Sequence, residues 1–340
     1  MAYPWKLLLV KNTVDKTYDI TPIVGPIIWD TYLSLTSEFQ TSTLWDDTIA
    51  FPTNPCDLGD MTVLTKDGSE VGRWILTNSS QKGRDPIKYT GYDWAWYLGQ
   101  SKSVYQFNGV RADLAIKKIL TDFGMVIGTI APMNTIITKI YMQQTPAYII
   151  DDILAQQEEQ SGHHYSPEMV QGAINIVPTV NRVIQATYTL GGVTADVMLN
   201  PLDATRTRDL TAMRNRINII TAGSNTYQLQ ASVQDSAMIS KYGLVEETFK
   251  INAADVAKSR QTAKVLLERL DRILENNTLT LMGDPAVKAG FLMNITEPIT
   301  GMTGQYLINH VRHTVDQQIH TMKVELVLPW DVTQGVAATT

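Results

Sequence analysis

Five histidines, one cysteine and the adjacent carboxylates Asp151-Asp152 and Glu158-Glu159 are the side chains of this 340-residue sequence best suited to holding a metal or moving a proton. His163 and His164 are neighbours, so on a strand they point to opposite faces and on a helix they lie about 100° apart. A two-histidine metal site uses i, i+2 on a strand or i, i+4 on a helix, and this spacing supplies neither. His310, His313 and His320 fall in a predicted hairpin, where an offset of three sends the first two to opposite faces. They read as hydrogen-bonded or exposed histidines. Glycoside hydrolysis needs two carboxylates facing one cleft. Asp151-Asp152 and Glu158-Glu159 diverge from each other on one predicted helix and read as a solvated face.

The remaining chemical motifs are equally bare. No Gly-x-Ser-x-Gly elbow, phosphate loop or Cys-x-x-Cys pair occurs. Gly283-Asp284-Pro285 with Gly290, and Gly301 to Gly304, read as turns between strands. Cys56 lies in a loop marked by Pro52, Asn54, Pro55 and Gly59, without a neighbouring histidine or helix start to activate it. The aromatic cluster Tyr89, Tyr92, Trp94, Trp96 and Tyr97 invites a carbohydrate platform, but large rings after a strand more often plug the end of a barrel. The sequence nominates no catalytic, cofactor-binding or metal-binding residue, and no cofactor.

The elements around these residues change character twice along the chain. Up to about residue 107, apolar residues alternate in short runs, with Leu33, Leu35 and Phe39 on one side of a strand over Thr31 to Gln40. Asp67-Gly68 predicts a tight hairpin between Met61 and Leu76, because both central residues of such a turn need positive φ. Near Asn108 the period shifts to about 3.6, with Leu114, Ile116, Ile119, Leu120 and Phe123 on one stripe and Gly124 as the stop. Thr145-Pro146 starts a second helix that runs through Ile149, Ile150, Ile153 and Leu154 towards Ser161-Gly162. Strands return at Asn215 to Thr221, Gln228 to Ser232, Thr278 to Met282 and Gln305 to Leu328. One helix from Asn252 to about Asn276 interrupts them, with Val256, Ala263, Leu266, Leu267, Leu270, Ile273 and Leu274 on its apolar face. The fold class expected is α+β, mainly β: a β domain over 1–107, a mixed α/β domain over 108–205, a second β domain with one packed helix over 206–330, and a short tail over 331–340.

Composition sets the outer bounds. Lys plus Arg is 28 and Asp plus Glu is 34, giving a net charge of −6 with charged residues at 18%. Binding to nucleic acid by counterion release is disfavoured at that balance. A single cysteine cannot pair within the chain, so a reducing compartment is expected. Apolar runs such as Leu7 to Val10 fall far short of the ~20 residues of a membrane span, and no signal-peptide core is expected at the start.

Pieces of the sequence, taken in order, resemble the XkdQ/YqbQ family of PBSX-like prophage tail proteins, the baseplate hubs of contractile tails. They are Tyr18-Asp19-Ile20 leading to Ile28-Trp29, Gly91-Tyr92-Asp93 with Tyr97-Leu98, and Val104 to Phe107 entering a helix at Ala112. They continue with Arg206 to Asp209 before Asn215-Arg216-Ile217, Asp235-Ser236-Ala237, and Ile239 to Gly243. Gly283-Asp284, Ala289-Gly290, Tyr306 and His313 complete the set, which spans about residues 17 to 328. Residues 163–168, 191–200 and 332–340 depart from the pattern. The resemblance implies a homotrimer whose first and last domains look like the tail-tube subunit, joining a hexameric tube to a three-fold central spike. It further implies LysM-type and wedge baseplate proteins, and the tape-measure protein, as neighbours, and a place in a virion or tail-like particle assembled in the bacterial cytoplasm. A tail-associated wall hydrolase or peptidase, and a carbohydrate-binding module, are the alternatives.

Overall fold

Branched and aromatic residues that alternate with polar ones build the first strands, each turning one face to a shared core. In chain order these are β1 (Trp5–Val10), β2 (Thr17–Asp19), β3 (Ile27–Tyr32), β4 (Glu38–Thr43), β5 (Met61–Lys66), β6 (Ser69–Ser80) and β7 (Ile87–Tyr92). The computed structural model describes residues 3–45, 54–179, 182–190, 193–199, 201–222, 226–251, 256–257 and 259–329. Pro52, Asn252, Asp255 and the tail over 331–340 lie outside these residues. Asp67 and Gly68 both have positive φ, 50° and 83°, and join β5 to β6 as the Asp-Gly pair requires.

The expected single strand over Thr31 to Gln40 is broken: β3 ends at Tyr32 and β4 begins at Glu38. The cause is Asp93, whose carboxylate accepts from both the backbone N–H and the hydroxyl of Ser37 at 2.8 and 2.7 Å and holds the intervening loop off the ladder. Leu35 therefore joins the core of the α/β section, while Phe39 joins the core of the first sheet.

The middle of the chain forms α1 (Trp96–Gln100), β8 (Ser103–Arg111), α2 (Ala112–Asp122), β9 (Val126–Ile130), β10 (Ile136–Gln144), α3 (Pro146–Ser161), β11 (Tyr165–Val170) and β12 (Ala173–Pro178). Thr145 caps α3 by accepting from the Tyr148 N–H, and Gly162 ends it in the left-handed region at φ 71°. Ile116, Ile119 and Leu120 of α2 meet Ile149, Ile150 and Ile153 of α3 in one core, whereas Leu114 is exposed. β13 (Val183–Ile184), β14 (Thr187–Leu190), β15 (Val193–Asp196) and β16 (Asp203–Asp209) follow. The rest is β17 (Arg216–Ala222), β18 (Tyr227–Gln234), α4 (Ser236–Tyr242), β19 (Glu246–Ile251), α5 (Ser259–Leu270), β20 (Leu274–Met282), β21 (Leu292–Glu297), β22 (Met302–Asp316) and β23 (Ile319–Val327). Among the described residues strand makes up 51% and helix 20%.

The third section of the sequence is divided between two compact units. One comprises Met1–Ala204 with Thr278–Leu326, the other Thr205–Asn277 with Val327–Thr340. In the first unit the main sheet runs β20-β23-β22-β3-β4-β7-β6-β5-β1-β2, with β21 beside β22 and β13 beside β21. Strands from both ends of the chain thus share one sheet, a pairing that local periodicity does not encode.

The second unit holds the three-stranded sheet β18-β17-β19, and α5 packs on it through Ala263, Leu266, Leu267 and Leu270 against Ile217, Ile219 and Phe249. This helix is shorter than expected. Ile273 and Leu274 are not on its stripe, because from Leu274 the residues follow a two-residue period in which Glu275, Asn277, Leu279 and Leu281 are buried as part of β20. Ala263 is fully buried. Ala263→Asp is expected to unfold this sheet and helix at a cost of several kcal/mol, because the carboxylate would have no partner there. Hydrogen exchange should show it as lost protection in β17 and α5, and unchanged protection there would refute the placement.

Candidate functional site at the strand seam

The seam is the antiparallel pairing of β3 with β22, in which Trp29 faces His313, Asp30 faces Arg312 and Tyr32 faces His310. Alternation along β22 sends His310 and His313 to opposite faces, as their offset of three requires. On the inner face Trp29 stacks on His313 with centroids 4.5 Å apart and planes within 7°. His320 of β23 lies 5.2 Å from the Trp29 ring and meets the edge of Trp5 at 4.9 Å. Trp74 and Phe39 extend the cluster at 4.9 Å.

Hydrogen bonds fix the protons on the two inner histidines. His313 Nε2 lies 2.9 Å from the Val287 carbonyl oxygen, which can only accept, so Nε2 carries the proton. Its Nδ1 must then accept, and His320 Nε2 donates to it at 3.0 Å. His320 Nδ1 is buried without a hydrogen-bond partner among the described residues, and the ring lies where a side chain at position 283 would stand. Both rings are neutral: burial pushes His313 down to about 3 and His320 down to about 2. Two buried neutral rings with their nitrogens assigned in this way form a structural relay.

His310 on the outer face is the opposite case. Its Nε2 lies 2.8 Å from an Asp30 oxygen and its Nδ1 3.3 Å from a Glu325 oxygen. These carboxylates raise its pKa, the Asp30 hydrogen bond contributing most, and the Tyr32 ring stacks on it at 4.6 Å. Asp30, only 1% exposed, and Glu325 both favour the protonated form of this ring.

A cavity of about 140 Å³ lies beside the seam, lined by Trp29, Tyr32, Trp74, Asp93, Glu168 and Lys288 among others. That volume is below the roughly 300–1,000 Å³ of metabolite pockets. Its charged groups oppose one another: Lys288 Nζ is 4.0 Å from Glu168, and Glu168 also pairs with Arg182 at 2.5 Å. Asp93 accepts from Ser37 and from the Ala95 N–H, and Ser37 in turn accepts from Trp74 Nε1 at 3.0 Å.

The other residues weighed from the sequence do not converge. His163 is exposed, while His164 pairs with Glu158 at 2.9 Å. Asp152 accepts from Lys139, Tyr141 and Gln156, and Asp151 and Glu159 face solvent. The Cys56 thiol is pushed up to about 12, first by burial and then by Asp60. Tyr92 stacks on Trp96 within 8°, and Trp94 and Tyr97 are each 39% exposed. Among the described residues no three His, Cys, Asp or Glu side chains converge as a metal site, and no helix is long and apolar enough to cross a membrane. The His313–His320 pair was missed because the turn joining β22 to β23 is Gln317-Gln318, with positive φ of 48° and 67° and neither the glycine nor the asparagine that signals a tight turn.

An antiparallel sheet that joins both ends of a chain around neutral aromatic rings defines a structural class, and the fold recurs among phage tail proteins. The 43 kDa tail protein of prophage MuSo2 from Shewanella oneidensis matches it with TM-score 0.71 and 14% identity, covering 97% of this chain and 100% of that one. A chain of the Francisella PdpA-VgrG complex matches with TM-score 0.55 and 8% identity over 97% of this chain and 59% of that one. In sequence, the phage-like element PBSX protein XkdQ of Bacillus subtilis (strain 168) is 26% identical over 287 residues, covering 82% of this chain and 84% of that protein. The family described as YQBQ-like matches residues 27–327, and the chain belongs to it.

Proposed function

We propose that this protein is a non-enzymatic hub of a contractile-tail baseplate. Three copies form a ring between the hexameric tail tube and the three-fold central spike. The observation that carries the reading is the seam: strands of the two chain ends joined in one sheet around Trp29, His313 and His320. The reading requires that β1 to β7 and β20 to β23 act as two tube-like units per chain, so that three chains match a six-fold tube. Likeness to XkdQ and to the MuSo2 tail protein supports the tail assignment, and likeness to a VgrG-containing complex supports a spike as neighbour. LysM-type and wedge baseplate proteins and the tape-measure protein are the further partners, and the particle assembles in the host cytoplasm.

Reconstruction of the intact baseplate tests this reading. Three copies around the axis, between tube and spike, are expected. Six copies, or a position on the tail's periphery, would overturn the hub. Release of reducing ends or amines from purified cell walls by the purified chain would replace it with a wall hydrolase.

A further inference from the structure

β6 is twelve residues long, and β7 covers only part of it. Their pairing starts with Ile75 opposite Tyr92, so on that side Ser69–Trp74 has no strand beside it among the described residues. Val71 is a bulge in this stretch, set between the pairs Thr65–Glu70 and Leu64–Gly72. Across the gap stands β11, the outer strand of its three-stranded sheet. Pro167 blunts the edge of β11, whereas no proline blocks Ser69–Trp74. The cavity of about 140 Å³ beside the seam lies in this gap, and Glu70, Val71, Glu168, Val170 and Lys288 line both it and an adjoining groove of about 540 Å³.

Each part of this cleft selects one feature of an occupant. An unpaired strand edge selects an extended main chain, whose N–H and C=O groups complete the ladder. The rings of Trp29 and Trp74 in the cavity wall select a large apolar side chain, and the volume is close to the roughly 150 Å³ of an apolar cavity that admits benzene. Charge selects the third feature. Glu70 is held by Arg73 at 2.7 and 2.5 Å, Glu168 by Arg182 at 2.5 Å, and Asp93 by Ser37 and the Ala95 N–H. Lys288 makes no hydrogen bond among the described residues, and the Glu168 oxygen beside it is 4.0 Å away. Burial lowers the Lys288 pKa, and a carboxylate brought against the ammonium would offset that cost.

We propose that an extended segment of a partner protein enters this cleft as an added strand beside Ser69–Trp74, with a large apolar side chain in the cavity and, two residues away, a carboxylate on Lys288. The spacing follows from the strand period, since side chains two apart share a face. The proposal needs neither the trimer nor the position between tube and spike.

Photo-crosslinking in assembled particles tests it. The full chain, carrying p-benzoylphenylalanine in place of Val170 at the rim of the cleft, complements a deletion strain, and the purified particles are irradiated. The expected product is an adduct with one other tail protein, mapping to a segment with a Trp, Phe, Leu, Ile or Met and an Asp or Glu two residues from it. Lys288→Met, and replacement of that acidic residue by its amide, should each reduce the adduct at least ~10-fold. Lys288→Met keeps an apolar stem of similar length, so the purified variant should melt within about 3 °C of the wild type. If it melts lower, the amide replacement in the partner reads the same contact in an unaltered cleft. An adduct with another copy of this chain, a mapped segment without the pattern, or no adduct in particles that contain the chain overturns the proposal and leaves the hub reading standing. An adduct that the amide replacement leaves undiminished overturns it as well.

Discussion

Between pH 6.5 and 4.5 the His313–His320 pair should withdraw on the order of 5 kcal/mol of folding stability. In the unfolded chain each imidazole takes a proton near its ordinary pKa of about 6.5. In the folded protein burial holds them neutral to about 3 and about 2. Over that window the unfolded state binds more protons than the folded one, so stability falls as pH falls. Two rings over two pH units give the stated magnitude. His310 does not compensate: its pKa is raised, so its contribution is already complete below the unfolded value and is lost only as pH rises through the raised one. Asp93, pushed up to about 6 by burial, works in the other direction and gains stability as pH falls below that value. The measurement is therefore a difference. Urea unfolding of the wild type and of the His313→Gln, His320→Gln chain should give acid slopes that diverge below pH 6.5, the double variant being flatter. Parallel slopes would show that the rings are not buried as neutral groups.

Gly283→Ala should cost roughly 3 kcal/mol or more, although alanine is usually a mild replacement. A Cβ on Gly283 would fall inside the His320 ring, against its Cγ, Nδ1 and Cδ2. That ring cannot step aside freely, since its Nε2–H donates to His313 and it packs T-shaped with Trp5. Displacing it breaks the relay to Val287 and leaves His313 Nδ1 without its donor. Removing the ring removes the clash, so in the His320→Ala background Gly283→Ala should be milder by at least ~1 kcal/mol. Additive effects of the two substitutions would mean that glycine is required there for another reason.

Local signals in the sequence were read by the same physics that builds the elements. Thr145-Pro146 and Gly162 bound α3 because capping and left-handed termination depend on residues a few positions apart. Asp67-Gly68 behaved likewise at the β5–β6 turn. The joining of β3 to β22 was not legible, since strand partners so distant in sequence are chosen by burial of Trp29 and His313 together rather than by any local pattern. The end of α5 was misplaced for a related reason: Ile273 and Leu274 fit a helical stripe, but the two-residue period that begins at Leu274 belongs to β20. Of the histidines, sequence could separate the faces of His310 and His313. It could not bring His313 to His320, because their contact depends on the geometry of a Gln-Gln turn.

The seam also orders events in time. Asp30 and His310 are 280 residues apart, so β3 waits for its partner while that length of chain is synthesised. At about 5–20 residues per second that interval lasts roughly a quarter of a minute to a minute. Throughout it, β3 is an open edge with Trp29 uncovered, a template for the wrong partner. β22 then closes this edge of the sheet, so a chain terminated before β22 keeps β3 open.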